Sequence, residues 1–340
     1  MILRVLLLSA LLVSQGSGDL PSAPAQPAAG PGGAAYRHGS VTKTSLGERG
    51  TSYWLFEPAD PRPASAPVVI FLHAFSATNP RTYGAWIDHL VRSGKTVIYP
   101  RFQYGVLPRI KSFMPNCREA LRDAFEVLGT AGHVAPELDH VALVGHSLGG
   151  RMAANLAATA ERDALPQASA LFVVLPGSAD FIRDEVALEP LASIPAETLL
   201  LTLAASDDSI SGETDARRIY LGSTAVGIEN KDFLLMHSDA HGTPELSANH
   251  LAPMAIDERY TEDVAYGEVE AQRHADALDY FGTWKLFDAL CDASFLGTNR
   301  EYALGNTPEQ RHMGTWSDGH PVRALEVKDF SAAPGQAKDD

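Results

Sequence analysis

Short apolar runs alternate with amphipathic segments along most of the chain. The runs are four or five residues long and rich in Val, Ile and Leu, which is typical of buried strands. They cover residues 68–72, 96–99, 141–144, 171–175, 199–203 and 233–236. Segments with helical spacing lie at residues 82–92, 116–128, 152–160 and 271–290. The alternation predicts an α/β fold with a mostly parallel central sheet, helices on both faces, and an antiparallel hairpin at the front edge from residues 41–56.

The N-terminal region predicts export. Residues 5–13 form a nearly unbroken apolar run after Arg4, and small residues follow it. The run is too short to span a bilayer, which takes about 20 apolar residues, so residues 1–18 are interpreted as a signal peptide. Residues 19–35 are mainly Pro, Ala, Gly and Ser and predict a disordered linker. The protein is therefore expected to be secreted or periplasmic, with no stable membrane span.

The remaining chain divides into a predicted α/β domain, residues 36–296, and a C-terminal extension, residues 297–340. The extension lacks a clear apolar period and predicts irregular structure packed on the domain. The formal net charge is −15, which argues against nucleic acid as a partner. Two cysteines, Cys117 and Cys291, allow one disulfide in an oxidising compartment, and two buried free thiols are the alternative.

The strongest chemical signal is the string Gly145-His146-Ser147-Leu148-Gly149. It follows an apolar run and precedes a helical segment, which is the context of a nucleophile elbow, G-x-S-x-G. Glycines two positions either side leave space for a sharp turn, and the helix N-terminus can stabilise a negative oxygen near the serine. Ser147 is the predicted nucleophile. An ordinary glycine-rich turn or a phosphate-binding turn is the alternative.

A serine nucleophile needs a base and an acid, and on this kind of fold the acid comes second along the chain. After the run at residues 199–203 stand Asp207 and Asp208. One of these aspartates should orient the base, and the other should be a turn residue.

The base is expected in the loop after residues 233–236. His241 is the preferred candidate because Gly242 follows it, on a turn beyond the strand. His237 lies so close to the strand that its side chain could still point along it, and His250 is the third choice.

An oxyanion hole needs two N–H donors. The residue after the nucleophile, Leu148, is expected to supply one of them. The other should come from the loop after residues 68–72, where the backbone N–H of Phe75 is the candidate. The alternative is that Phe75 is only a core or cleft aromatic.

These features together resemble the α/β-hydrolase superfamily over residues 36–290. The layout is similar to capless bacterial cutinase-like polyesterases and dienelactone-hydrolase-like esterases. Bacterial cutinases carry E-N-D-S-I at the acid, and Ser206-Asp207-Asp208-Ser209-Ile210 corresponds to it. The resemblance implies that Asp208 is the acid, with Asp207 as the alternative. The same cutinases carry a P-G-Y-T segment for the oxyanion hole, and its position corresponds to His73-Ala74-Phe75-Ser76, which supports Phe75 as a donor.

The resemblance implies a serine esterase that cleaves small or polymeric carboxylic esters through an acyl-enzyme, with no metal or organic cofactor. A lipase, a polyesterase, an amidase or peptidase, and a non-catalytic binding module are the alternatives. The short gap between residues 175 and 199 predicts no large cap domain. Residues 243–269, which follow the expected base, are interpreted as either a small lid or a surface loop.

Overall fold

A computed structural model describes residues 20–105, 109–177, 186–257, 259 and 273–330. The predicted signal peptide, residues 1–18, lies outside these residues. The strands are β1 (Ser40–Leu46), β2 (Tyr53–Ala59), β3 (Ser65–Leu72), β4 (Thr96–Pro100), β5 (Ala135–His146), β6 (Ala170–Val174), β7 (Leu199–Ala205), β8 (Lys231–Met236) and β9 (Glu326–Lys328). The helices are α1 (Gly84–Arg92), α2 (Phe113–Leu128), α3 (Leu148–Thr159), α4 (Thr214–Gly222), α5 (Lys285–Leu296) and α6 (Pro308–Arg311), and a π-helical segment, Leu278–Trp284, leads into α5.

The strands form one sheet in the order β1-β2-β4-β3-β5-β6-β7-β8-β9. Strands β3 to β8 run parallel, whereas β1, β2 and β9 pair antiparallel with their neighbours. Every apolar run predicted as a strand overlaps a parallel strand, with Leu175 one residue beyond β6, and residues 41–56 form the front hairpin. This architecture confirms the predicted α/β-hydrolase fold. The expectation that no large cap is present stays a prediction.

The sheet is buried on both faces because its strands carry apolar residues at successive positions. Phe71, Val144 and Phe172 are paired in register and belong to one core, which also contains α5. Their neighbours Leu143 and Val173 belong to the core on the opposite face, beneath α2 and α3. Parallel strands covered by helices on both sides require this continuous apolar character.

The two cysteines lie in these two different cores. Cys117 is buried on α2 and Cys291 is buried on α5, and both are free thiols. The sheet separates them, so of the two possibilities that the sequence left open the structure has the two buried free thiols. Burial raises the pKa of both thiols, to about 12 at Cys117, so they remain protonated and inert at neutral pH.

Residues 20–35, predicted as a disordered linker, instead follow a defined path along the domain. Ser22 forms a parallel bridge with Thr243, and the Gly32 N–H donates to Asp288 Oδ2 at 3.0 Å. A Cβ at Gly32 would lie 2.1 Å from the Tyr280 carbonyl oxygen. Small residues permit this close backbone approach. The composition of the segment did not predict an ordered path, because the segment packs against the domain and has no apolar core of its own.

The C-terminal region is more regular than predicted. Helix α5 ends at Leu296 and is capped by Gly297, which has a left-handed φ of 69°, so the helix extends beyond the predicted end at residue 290. The tail then forms α6, buries Trp316 and adds β9 to the edge of β8. Pairing with an existing strand stabilises β9, which is too short to be recognised from its own sequence. Among the described residues, no helix is both long and apolar enough to cross a bilayer.

Candidate active site

Ser147 lies on a sharp turn between β5 and α3. Its backbone has φ 55° and ψ −123°, a strained conformation for a residue with a side chain. A Cβ at Gly145 would lie 2.1 Å from the Gly149 oxygen, and one at Gly149 would lie 2.1 Å from the Leu72 oxygen. Both glycines are therefore required by close backbone contacts, for the steric reason predicted from the sequence.

The side chains of Ser147, His250 and Asp208 form a continuous hydrogen-bonded series. Ser147 Oγ lies 2.9 Å from His250 Nε2, and His250 Nδ1 lies 2.9 Å from Asp208 Oδ2. The His250 side chain is only 9% exposed, and that of Asp208 is fully buried. A carboxylate can hold Nδ1 in its protonated form, which leaves Nε2 free to accept the serine proton.

The environment of Asp208 keeps its carboxylate ionised. Burial raises its pKa, but the hydrogen bond with His250 and the N–H groups of Ser211 and Ile210 outweigh burial and lower the pKa below its ordinary value. Both N–H groups donate to Oδ1 at 2.9 Å, while Oδ2 faces His250. Asp208 lies in the turn after β7, where the acid was expected, and its histidine partner is His250 rather than His241.

His241, the preferred base, does not contact Ser147. Its Nε2 lies 2.8 Å from Asp318 Oδ2, and its ring stacks on His320 with centroids 4.2 Å apart. His237 is also engaged elsewhere, with Glu326 at 3.2 Å. The geometry thus corrects the prediction: the histidine beside the serine is His250, which the sequence ranked third.

The path of the loop after β8 explains this correction. Asp239 and Leu246 exchange backbone hydrogen bonds of 2.8 and 2.9 Å, so the residues between them form a reversal in which His241 contacts Asp318 of the C-terminal tail instead of Ser147. The chain then re-enters the core with Ala248 and Ala252 buried around His250. The sequence does carry a signal for this return to the core: residues 242–245 are polar, and residues 246–254 are more apolar.

Asp207 has a separate structural part in the same loop. Ser238 Oγ donates to Asp207 Oδ2 at 2.5 Å and accepts the Ala248 N–H at 2.7 Å. The Asp207 N–H also donates to the Ala248 carbonyl at 3.1 Å. Asp207 therefore anchors the segment that leads into His250, while Asp208 contacts the His250 ring.

The loop after β3 places Phe75 between two anchored neighbours. The Ala74 N–H donates to Tyr83 Oη at 3.1 Å, and the Ser76 N–H donates to Gln103 Oε1 at 2.8 Å. No hydrogen bond within the described part of the chain uses the Phe75 N–H. Leu148 is the first residue of α3, where an N–H group has no carbonyl partner inside the helix. Neither predicted donor N–H therefore has a hydrogen-bond acceptor among the described residues.

Other predicted features of the site are only partly described. Residues 243–257 run along the domain, but residues 258 and 260–272 lie outside the described part, so the choice between lid and surface loop stays open. Within the described ranges, no group of three or more His, Cys, Asp or Glu side chains is arranged to hold a metal ion.

Comparisons with known proteins agree with the fold. Residues 50–185 match the model of the Chlorophyllase family, an esterase family of the α/β-hydrolase type. The matched part includes Phe75 and Ser147, whereas Asp208 and His250 lie beyond it. A search of curated proteins finds no match. The match supports the superfamily without extending to the cutinase-like branch. The chain thus has the α/β-hydrolase fold, and its matched part resembles ester hydrolases of that fold.

Proposed function

We propose that the protein is a serine hydrolase that cleaves carboxylic esters through a Ser147–His250–Asp208 triad. The observation that carries the proposal is the pair of 2.9 Å hydrogen bonds that join the three side chains in a buried setting. The ester class is supported by the Chlorophyllase-family match over the part of the chain that contains the serine.

The proposed reaction has two acyl-transfer steps. Ser147 Oγ attacks the ester carbonyl carbon while His250 Nε2 takes the serine proton, and Asp208 stabilises the imidazolium that forms. His250 then gives the proton to the departing alcohol, which leaves an acyl-serine. A water molecule attacks the acyl carbon with His250 again as the base, and the carboxylic acid and free serine are released.

The negative oxygen of each tetrahedral intermediate needs donors. We assign this part to the N–H groups of Phe75 and Leu148, because the first is held between two anchored neighbours and the second begins α3. Each such donor typically lowers the barrier by about 3 kcal/mol.

We further propose that the ester carries an apolar acyl or alcohol group, because exposed apolar residues are close in sequence to two members of the triad. Leu251 follows His250 and is 45% exposed, and Ile210 lies two residues after Asp208 and is 47% exposed. Rates over p-nitrophenyl esters of increasing acyl length would locate the preference. A maximum at short chains indicates an esterase, whereas sustained activity on long or polymeric esters indicates a lipase or a cutinase-like polyesterase.

A fluorophosphonate probe tests the triad directly. The wild type should be labelled, and Ser147→Ala should not be labelled. His241→Gln should be labelled at the wild-type rate, because His241 is paired with Asp318 and not with the serine. Equal labelling of the wild type and Ser147→Ala would overturn the assignment. Absence of both labelling and ester turnover in the folded protein would favour a non-catalytic binding module.

We also propose that the chain is exported and that residues 1–18 are removed. Cleavage there would leave the segment that packs along the domain from residue 20 onward intact. Mass spectrometry of the protein recovered outside the cytoplasm should give an N-terminus near residue 19. An intact Met1 on that material would contradict the proposal.

A further inference from the structure

A buried hydrogen-bond series outside the triad involves His146, the residue directly before Ser147. His146 is 1% exposed, and both of its ring nitrogens have partners. Nδ1 lies 2.8 Å from Tyr83 Oη, and Nε2 lies 2.9 Å from the backbone carbonyl oxygen of His250. The Tyr83 oxygen in turn accepts the Ala74 N–H at 3.1 Å.

Chemistry assigns the protons in this series. A carbonyl oxygen only accepts, so His146 Nε2 must carry the hydrogen that bonds to the His250 backbone. Burial, together with the neighbouring His250, lowers the His146 pKa well below its ordinary value, so the ring is neutral and Nδ1 is an acceptor. Burial also raises the Tyr83 pKa, so its hydroxyl keeps a hydrogen and donates it to Nδ1.

The series therefore runs in one direction, from the Ala74 N–H through Tyr83 and His146 to the His250 carbonyl. Ala74 directly precedes Phe75, and His146 is bonded to Ser147. One set of hydrogen bonds thus joins the loop with the oxyanion donor, the serine turn and the backbone of the base. In a water-excluded interior such bonds are stronger than at the surface, and a partly broken series leaves unpaired polar groups.

We infer that Tyr83 and His146 are positioning residues that hold the Phe75 N–H and the His250 ring in register with Ser147. This inference rests on the proposed ester hydrolase. Neither side chain is assigned contact with the substrate. Their loss should therefore weaken alignment in the transition state more than substrate binding. A displacement of about 1 Å can lower a rate about 100-fold.

The first test compares Tyr83→Phe with Tyr53→Phe. Each variant removes one buried hydroxyl: that of Tyr83 lies in the series, whereas that of Tyr53 donates to Asp123 at 2.6 Å. With a p-nitrophenyl ester, Tyr83→Phe should lower kcat 10- to 100-fold and change KM less than threefold. Tyr53→Phe should leave both constants within twofold. A kcat for Tyr83→Phe within fivefold of that for Tyr53→Phe would overturn the inference.

The second test replaces His146 and covers the case in which Tyr83→Phe does not fold. His146→Phe keeps a ring but removes both nitrogens, and it should lower kcat at least tenfold. His146→Gln retains one donor and one acceptor, and it should recover kcat to within fivefold of the wild type. Equal kcat values for the two variants would contradict a positioning part for His146.

The same assay separates this inference from the proposed function. Wild-type turnover that disappears in Ser147→Ala establishes the hydrolase before either series variant is compared. If wild type and Ser147→Ala have equal activity, the hydrolase itself is wrong, whatever Tyr83→Phe does. Thermal unfolding of each variant shows whether a lower kcat arises in a folded enzyme.

Discussion

The loop after β8 carries two histidines that pair with aspartates at nearly equal distances and in opposite surroundings. His250 Nδ1 lies 2.9 Å from Asp208 Oδ2, and His241 Nε2 lies 2.8 Å from Asp318 Oδ2. The side chains of the first pair are 9% and 0% exposed, whereas those of the second are 32% and 43% exposed.

Both histidines form a histidine–carboxylate hydrogen bond, so such a bond alone cannot identify a catalytic base. The second ring nitrogen of His250 meets Ser147 Oγ, and the pair is enclosed, so its hydrogen bonds act in a low dielectric. The His241 pair lies at the surface, where water screens the interaction and its contribution is small. Burial and a third partner distinguish the two sites.

The sharpest way to break the comparison is to remove each histidine in turn. His250→Gln should lower kcat by about 10⁵-fold, because the serine loses its proposed base. His241→Gln should stay within twofold of the wild type. Steady-state ester hydrolysis measures both, with Ser147→Ala as the background. A large loss in His241→Gln with little change in His250→Gln would restore the assignment drawn from the sequence.

Replacing Asp208 and Asp318 with asparagine, one at a time, should give the next largest difference in kcat. Asp208→Asn should lower kcat by about 10⁴-fold, because an amide favours the wrong tautomer of the histidine. Asp318→Asn should leave kcat unchanged within twofold. Asp207→Asn is a useful neighbour control, and a loss there larger than in Asp208→Asn would show that Asp207 is the acid.

The pH dependence of stability tests whether the buried Asp208 is ionised. The Asp208 pKa is below its ordinary value, so the ionised carboxylate stabilises the fold above about pH 4, the range of a free aspartate. This stabilisation is lost as the pH falls through the lowered pKa. The Tm of Asp208→Asn should therefore be several degrees below the wild type at pH 7, and the difference should shrink at pH 3. A Tm difference that is constant across this range would argue against an ionised Asp208.

The smallest expected effect concerns the exposed pair. Replacing His241, Asp318 or both with alanine should change the Tm within measurement error, because exposed pairs contribute little. A double-mutant cycle by thermal unfolding measures their coupling directly. Coupling that survives 1 M salt would mean that this pair is shielded from solvent and that the contrast with His250 is overstated.

Much of the fold could be predicted because its strands are locally encoded. The runs at residues 68–72 and 141–144 are apolar at every position, which is typical of a strand covered on both faces. The packed segment at residues 20–35 and strand β9 were missed for the opposite reason. Both depend on surfaces supplied by distant parts of the chain.

The candidate site likewise has a part that is encoded locally and a part that depends on distant residues. Ser147 and its two glycines belong to one turn, so local steric rules were sufficient to find them. Asp208 was chosen over Asp207 by resemblance, and the geometry gives the two residues different contacts. His250 could not be selected from sequence order, because every histidine after β8 satisfies the same order.

The sequence by itself determined the parallel sheet, the strained serine turn and the two loops expected to face it, because these depend on neighbouring residues and on short-range sterics. Only the tertiary structure decided which histidine reaches Ser147. That outcome depends on the Asp239–Leu246 pairing, which places His241 beside Asp318, and on the Asp207–Ser238 contact, which anchors the segment that leads into His250. The Asp207–Ser238 contact joins residues that are distant in sequence. The Asp239–Leu246 pairing depends on which residues of the loop become buried and which stay exposed, and no local sequence pattern specifies this.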